Sequence, residues 1–421
     1  MGFAVIDYAK EQNITIRKNR ITAASTQIDV KTAKAALFPS LSFSTSQQVV
    51  NRPYQETSSR VSGSEIISSN SKTSYNGNYG LNASWTLYNG NKRLKTIQQE
   101  KLNNQVAELD VATSENNIQE SIAQVYIQIL YAAESVKVNE STLQVSIAQR
   151  DRGQELLNAG SIAKSDFAQL EAQVSTDRYQ LVTAQATLED YKLQLKQLLE
   201  LDGENEMNIY LPALSDENVL APLPTKKDVY IRALSLRPEI EASKLNVEAS
   251  ELGIGIAKSS YLPTISLSAG IGTNHTSGSD FTFGEQVKNG WNNSIGLSVS
   301  VPIFNNRQTK SAVQKAKLQY ETSMLSLLDE QKTLYKTIEG LWLDANSAQQ
   351  RYAAANEKLK STQISYELIS EQFNLGMKNT IELLTEKNNL LQAQQEQLQA
   401  KYMAILNMQL LKFYQGDQLA I

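Results

Sequence analysis

The sequence predicts a mainly α-helical chain that also carries strands of a membrane β-barrel. It is laid out as two tandem copies of helix, strand, strand, long helix, long helix. Three observations lead there. The chain repeats itself in order and at matching spacing. Its strand-like runs alternate apolar with small polar residues. Its helical runs are far longer and more polar than the cover of a small sheet requires.

The repeat is legible at every junction. Ala35-Ala36-Leu37-Phe38-Pro39-Ser40-Leu41 closes a helix and opens a strand, and Ser259-Ser260-Tyr261-Leu262-Pro263-Thr264-Ile265 does the same. Leu81 to Asn89, containing Trp85 and Tyr88, matches Leu297 to Asn305, containing Val301 and Phe304. Glu155-Leu156-Leu157-Asn158-Ala159-Gly160 matches Glu371-Gln372-Phe373-Asn374-Leu375-Gly376, and Asp166 falls opposite Glu382. The first repeat therefore occupies 1–201, a Pro-punctuated linker 202–224, and the second repeat 225–421.

The elements follow in order. A helix over about 3–37 stops at Pro39, whose ring forces the preceding residue out of helical geometry. Strands are expected over about 40–51 and 74–88, with a Ser/Asn/Gly/Thr-rich loop over 52–73. Long helices over about 90–158 and 165–201 flank a break at Gly160; at ~1.5 Å per residue the first is about 100 Å long. The second repeat offers a helix over about 226–261, strands over 264–274 and 290–304, and helices over 306–373 and 380–413, broken at Gly376.

Composition excludes several classes. The 421 residues carry a net charge of -4, so no global basic field invites nucleic acid. There is no cysteine, which removes disulfides, thiol catalysis and thiolate metal sites. His275 is the only histidine and is expected as a solvated loop residue; it supports neither a catalytic triad nor a metal site. The reading is a non-enzyme without metal or cofactor. Gly253 to Ser259 mimics a phosphate loop but lacks its spacing. No run approaches the ~18 apolar residues of a membrane-spanning helix, and mean hydropathy is -0.37. Met1-Gly2-Phe3 opens directly on a helical pattern, so an exported protein is expected here in its mature form.

The alternation decides the environment. From Tyr75 to Leu87 one face carries Tyr75, Tyr79, Leu81, Ala83, Trp85 and Leu87; the other carries Asn76, Asn78, Asn82, Ser84, Thr86 and Tyr88. From Trp291 to Ile303 one face carries Trp291, Ile295, Leu297, Val299, Val301 and Ile303 against Asn292, Ser294 and Ser298. An ordinary half-buried sheet would turn the apolar face to a core. A barrel turns it to lipid and the small polar face to a wet lumen, with Tyr75, Tyr79, Trp85, Tyr88, Trp291 and Phe304 as interface girdles. Four strands cannot close a barrel, and an open sheet cannot sit in lipid with unpaired edges. Several copies of the chain must supply the strands.

These junction motifs, twice over and in order, resemble the TolC family of outer membrane efflux proteins, and the resemblance covers essentially the whole chain. It implies a homotrimer in the bacterial outer membrane, with four strands per chain closing one twelve-stranded barrel above a long α-helical periplasmic tunnel. It implies a passive export conduit of a tripartite efflux or type I secretion system, partnered by a periplasmic adaptor (membrane fusion) protein and an inner-membrane pump of RND, ABC or MFS type. By resemblance, Gly160, Ser161, Gly376 and Met377 are adaptor-docking tips. Asp166, Glu382, Lys378 and Phe373 lie at the periplasmic entrance, where triplicated acids would form a cation-attracting ring. The family's second acid beyond Glu382 is absent: Thr385 stands there, followed by Glu386. The competing architecture is a soluble, elongated coiled-coil spacer, which would need sustained a/d heptads that the sequence lacks.

Overall fold

The computed structural model describes residues 3–54, 58–62, 65–69, 72–202, 210 and 219–419. In chain order the elements are α1 (Phe3–Gln12), α2 (Ile14–Ala35), β1 (Ser40–Asn51), β2 (Ser58–Ser62), β3 (Glu65–Ser69), β4 (Thr73–Asn89), α3 (Lys92–Asn158) and α4 (Lys164–Leu198). The second half follows with α5 (Lys226–Leu236), α6 (Pro238–Ser259), β5 (Thr264–Thr276), α7 (Phe283–Asn289), β6 (Asn292–Ser300), α8 (Gln308–Asn374) and α9 (Thr380–Tyr414). The repeat survives in the element lengths: α3 and α8 are each 67 residues, α4 and α9 each 35.

Several boundaries depart from the periodicity, each for a local reason. The first helix is two, because Asn13 turns its carboxamide inward to accept from the Thr15 N–H at 2.9 Å and starts a new helix there. The helix expected over 226–261 is also two, since Pro238 has no N–H to continue α5 and instead opens α6. The expected loop over 52–73 contains the β2–β3 hairpin. The loop after β5 contains α7, closed by a Thr282–Glu285 capping box. The strand expected over 290–304 ends at Ser300, two residues before Pro302.

The chain forms two compact units that cut across the sequence repeats. One comprises Met1–Ala23, Val106–Lys244 and Ser326–Ile421; the other comprises Ala24–Gln105 and Leu245–Leu325. The first is helical. Ile122, Ile127, Leu130, Tyr352, Ile338 and Leu411 are fully buried in it, each such side chain contributing ~1.5–3 kcal/mol by leaving water. The described part of the linker is strapped to this unit. Gln349 donates to the Val219 and Ala221 carbonyls at 2.9 and 2.8 Å, and the Trp342 indole donates to the Pro224 carbonyl at 3.0 Å.

The second unit holds an antiparallel sheet in the order β1-β4-β5-β6. Its register stacks the predicted faces across all four strands. Phe43 pairs with Leu81 and Leu81 with Ile271; Leu41 pairs with Ala83, Ala83 with Ala269, and Ala269 with Ile295. On the other face Ser42, Asn82, Gly270 and Ser294 form one row, and Ser40, Ser84, Ser268 and Gly296 another. A bulge between Thr86 and Tyr88 corrects one assignment. The extra residue puts Tyr88 opposite Ile265, on the apolar side, whereas strict alternation assigns it to the polar side.

Candidate functional site

Two surfaces of this chain are unusual for a folded protein: the sheet's apolar face and the paired helical tips. Among the described residues, much of the apolar face is left uncovered. Ile295 is 79 % exposed, Leu41 70 % and Phe43 67 %, a continuous patch that water would not tolerate. Opposite it, the polar face carries hydroxyls, amides and glycines, with Val50 at the end of β1 the exception, and no Asp, Glu, Lys or Arg occurs in any of the sheet's four strands. The edges β1 and β6 are each hydrogen-bonded on one side only.

Aromatic side chains gather at both ends of these strands. Trp85 donates its indole N–H to the Leu37 carbonyl at 2.8 Å, with Tyr88 beside it in sequence and Phe304 exposed beyond β6. At the other end lie Tyr75, Tyr79 and Trp291. His275 belongs to this end and is not the solvated loop residue expected. It sits in β5 with Tyr79 stacked at 5.8 Å and Tyr75 and Phe283 at 5.1 and 5.0 Å. Gly77 directly opposite makes the room, since a Cβ there would lie 2.3 Å from the imidazole.

The tips are built by one device used twice. Gly160 and Gly376 have φ of +74° and +75°, the left-handed region that glycine enters without penalty. The following N–H reaches back five residues, Ser161 to the Leu156 carbonyl and Met377 to the Gln372 carbonyl, both at 2.8 Å. Gly160 and Gly376 themselves donate to Leu157 and Phe373 at 2.9 Å. This double bond pattern satisfies the carbonyls that end α3 and α8. Gly160, Ser161, Gly376 and Met377 are all exposed.

The two acids then close the next helices. Asp166 accepts from the Ala163 N–H at 3.3 Å. Glu382 accepts from the Asn379 N–H at 3.2 Å, while Asn379 accepts from the Glu382 N–H at 2.9 Å. Lys378 adds an ion pair to Glu382 at 2.6 Å. That lysine, and then the Asn379 amide, hold the Glu382 carboxyl below the usual carboxylate value. Both acids are half-buried and within a turn of their tip. Phe373, three residues before Gly376, is 3 % exposed, so its ring is buried just short of the second tip. Thr385 donates to the Ile381 carbonyl at 2.8 Å, and Glu386 accepts from Ser365 at 3.1 Å.

Behind the tips lies a cluster that sequence reasoning missed. Lys387 of α9 reaches both Asp177 of α4 and Ser146 of α3, and Ser146 also bonds Asp177. Lys387 and Asp177 are 3 % and 2 % exposed. Gln173 donates to the second Asp177 oxygen at 2.9 Å. Burial pushes the Lys387 ammonium down, against the pull of Asp177. Asp177 and Lys387 read as two charges among many on polar helices, and only the packing of three helices brings them together.

The sequence profile of the outer membrane efflux protein family matches residues 5–200 and 229–416. The chain belongs to the outer membrane efflux protein family. It is 24 % identical over 290 residues to the outer membrane efflux protein BepC of Brucella suis biovar 1 (strain 1330), covering 68 % of this chain and 60 % of BepC. It is 23 % identical over 311 residues to the outer membrane protein TolC of Escherichia coli (strain K12), covering 72 % of this chain and 62 % of TolC. The chain thus spans about 60 % of the length of these relatives. Its fold is that of CusC, whose crystal structures were solved to follow folding and transmembrane channel formation: TM-score 0.82, 19 % identity, 99 % of this chain and 92 % of that one covered.

Proposed function

We propose that three copies of this outer membrane efflux protein close a twelve-stranded barrel in the bacterial outer membrane, and that its long helices form a periplasmic tunnel. The assembly is a passive export conduit of a tripartite efflux or type I secretion system. The observation that carries this reading is the open four-stranded sheet with a bare apolar face and an uncharged polar face. In water that face would aggregate; in lipid it is matched. In lipid, however, the free edges of β1 and β6 demand partners, which further copies of the chain supply. A soluble coiled-coil spacer accounts for neither feature.

The dimensions support it. Tyr75 and Trp85 stand ten residues apart on β4, or about 33 Å at ~3.3 Å per residue. A tilt of ~40° projects this to about 25 Å, the height of a barrel's apolar band between its girdles. Tyr79, Tyr88, Trp291 and Phe304 complete the two belts. Ser, Asn and Gly face the lumen, and hydroxyls and amides solvate either sign of charge.

The tips take the remaining roles. Gly160, Ser161, Gly376 and Met377 receive a periplasmic adaptor, behind which an inner-membrane pump of the RND, ABC or MFS type supplies the energy. Asp166, Glu382 and Lys378 line the entrance, and Phe373 packs behind it. The conduit breaks no bond and opens as the tips separate.

The test is conductance across a planar lipid bilayer after addition of detergent-purified protein. Long-lived discrete steps with a cation preference, reduced in Asp166→Asn/Glu382→Gln, are expected. Absence of steps from protein that stays monodisperse without detergent would overturn the conduit.

A further inference from the structure

The charges nearest the sheet are all of one sign at one end. Residues 30–54, 72–99, 252–279 and 286–320 contain no Asp or Glu, although the whole chain has more acids than bases. At the four strand–helix junctions Lys34, Lys92, Lys258, Arg307, Lys310 and Lys315 are exposed. Among the described residues none of the six forms an ion pair. Arg93 is spent differently, donating to the Ala36 carbonyl at 2.7 Å and to the Thr86 carbonyl, which ties the junction together.

Each junction pairs one such cation with an aromatic residue three or four positions away. Lys34 goes with Phe38, Lys92 with Tyr88, Lys258 with Tyr261, and Arg307 with Phe304. All four rings are exposed, Phe304 at 85 %. The arrangement also runs against local helix electrostatics. Neither α3 nor α8 has an acid in its first turn, and each has a cation at or beside its start, where the helix dipole favours an anion. The opposite end of the sheet is mixed in sign: Asp280 and Glu285 stand there with Arg52, Lys72 and Lys288.

We propose that these junctions form a basic collar that binds the anionic phospholipid headgroups of the periplasmic leaflet. The inference rests on the barrel reading, which puts the helix-bearing ends of the strands at that leaflet. The rings sit at the level of the headgroups and the longer cationic side chains reach the phosphates, a division of labour that suits amphipathic and charged residues at an interface. Clustered cations of this kind attract an anionic lipid surface additively and in a salt-dependent way. The collar would select the lipid around the channel and set its height in the membrane.

The experiment reconstitutes the full protein into nanodiscs of phosphatidylcholine alone or mixed with phosphatidylglycerol. Unfolding temperature, phosphatidylglycerol enrichment in the surrounding lipid, and single-channel conductance are then measured. Phosphatidylglycerol is expected to raise the unfolding temperature of the unmodified protein, and added salt to erase the gain. In Lys34→Gln/Lys92→Gln/Lys258→Gln/Arg307→Gln the gain should vanish and enrichment fall, by roughly fivefold per neutralised side chain, with conductance retained. An unmodified protein indifferent to phosphatidylglycerol would overturn the collar. So would a variant with the unmodified protein's lipid response, or one whose only change is in ion preference, which would put the cations in the lumen. Failure to enter either nanodisc would instead overturn the barrel reading. The salt titration on unmodified protein keeps the test decisive if the variant does not fold.

Discussion

The two helical tips share one backbone and differ in nearly every side chain. Both reverse through a glycine at φ near +75° with the same pair of return bonds. At the first tip the next helix starts at Ala163, which has no side-chain acceptor, so Asp166 makes only half of a capping box. At the second, Asn379 and Glu382 make the full box, and Lys378 clamps the acid further. The first tip presents Ala159, Ser161 and Ser165 to solvent; the second presents Leu375 and Met377, 75 % and 70 % exposed. The repeat therefore preserves the turn and has diverged in surface and capping. The second tip is the better-tied and stickier of the two, while the first is held chiefly by its glycine and its packing.

The largest way to break the comparison is to remove the cluster that serves both hairpins. Lys387→Met leaves Asp177 buried without its cation, and the expected loss is about 3–5 kcal/mol. Lys387→Met/Asp177→Leu should recover most of it, because well-packed apolar residues replace a buried pair at little cost. Thermal unfolding in detergent reads both. Equal loss in single and double variants would mean that the pair contributes only through packing.

Next come the glycines. Gly160→Ala and Gly376→Ala each force a side chain into the left-handed region, costing about 1–2 kcal/mol. No atom lies within 4 Å of either would-be Cβ, so the two penalties should be alike. Hydrogen exchange of the tip amides measures each locally; a large inequality would show that one tip is constrained by more than its turn.

The caps should then separate the tips. Asn379→Ala is expected to loosen the second tip by about 1 kcal/mol, and Ala163→Asn to tighten the first by a similar amount. Exchange rates at the first turns of α9 and α4 should move in opposite directions.

The smallest effect is that of pH. The Glu382 carboxyl is held below its ordinary value of 4.5, so the stability it contributes is present above that value and is lost as pH falls through the depressed one. Glu382→Gln should exchange faster than the unmodified protein at neutral pH and match it in strong acid. The first tip, compared through Asp166→Asn, has no lysine clamp to lose.

How much of this was legible beforehand depends on the range of the interaction. The tips were legible because Gly160, Gly376, Asp166 and Glu382 act within one turn of chain, through φ and through capping. The sheet faces were legible because a strand's side chains alternate with period two, whatever the rest of the fold does. The repeat located both, and the charge asymmetry around the strands lies in plain sight in the sequence. Packing decided the rest. The bulge that turns Tyr88 to the apolar side arises only when β4 pairs with β5, strands that come from different repeats. His275 joins its aromatic cluster because Gly77, nearly two hundred residues away, faces it across that same pairing. The burial of Phe373, beside an exposed tip, is likewise set by packing and not by local sequence. Lys387, Asp177 and Ser146 sit on three helices whose mutual register no local pattern encodes. Period, turn chemistry and charge are written along the chain, whereas burial is a property of what distant segments do to one another.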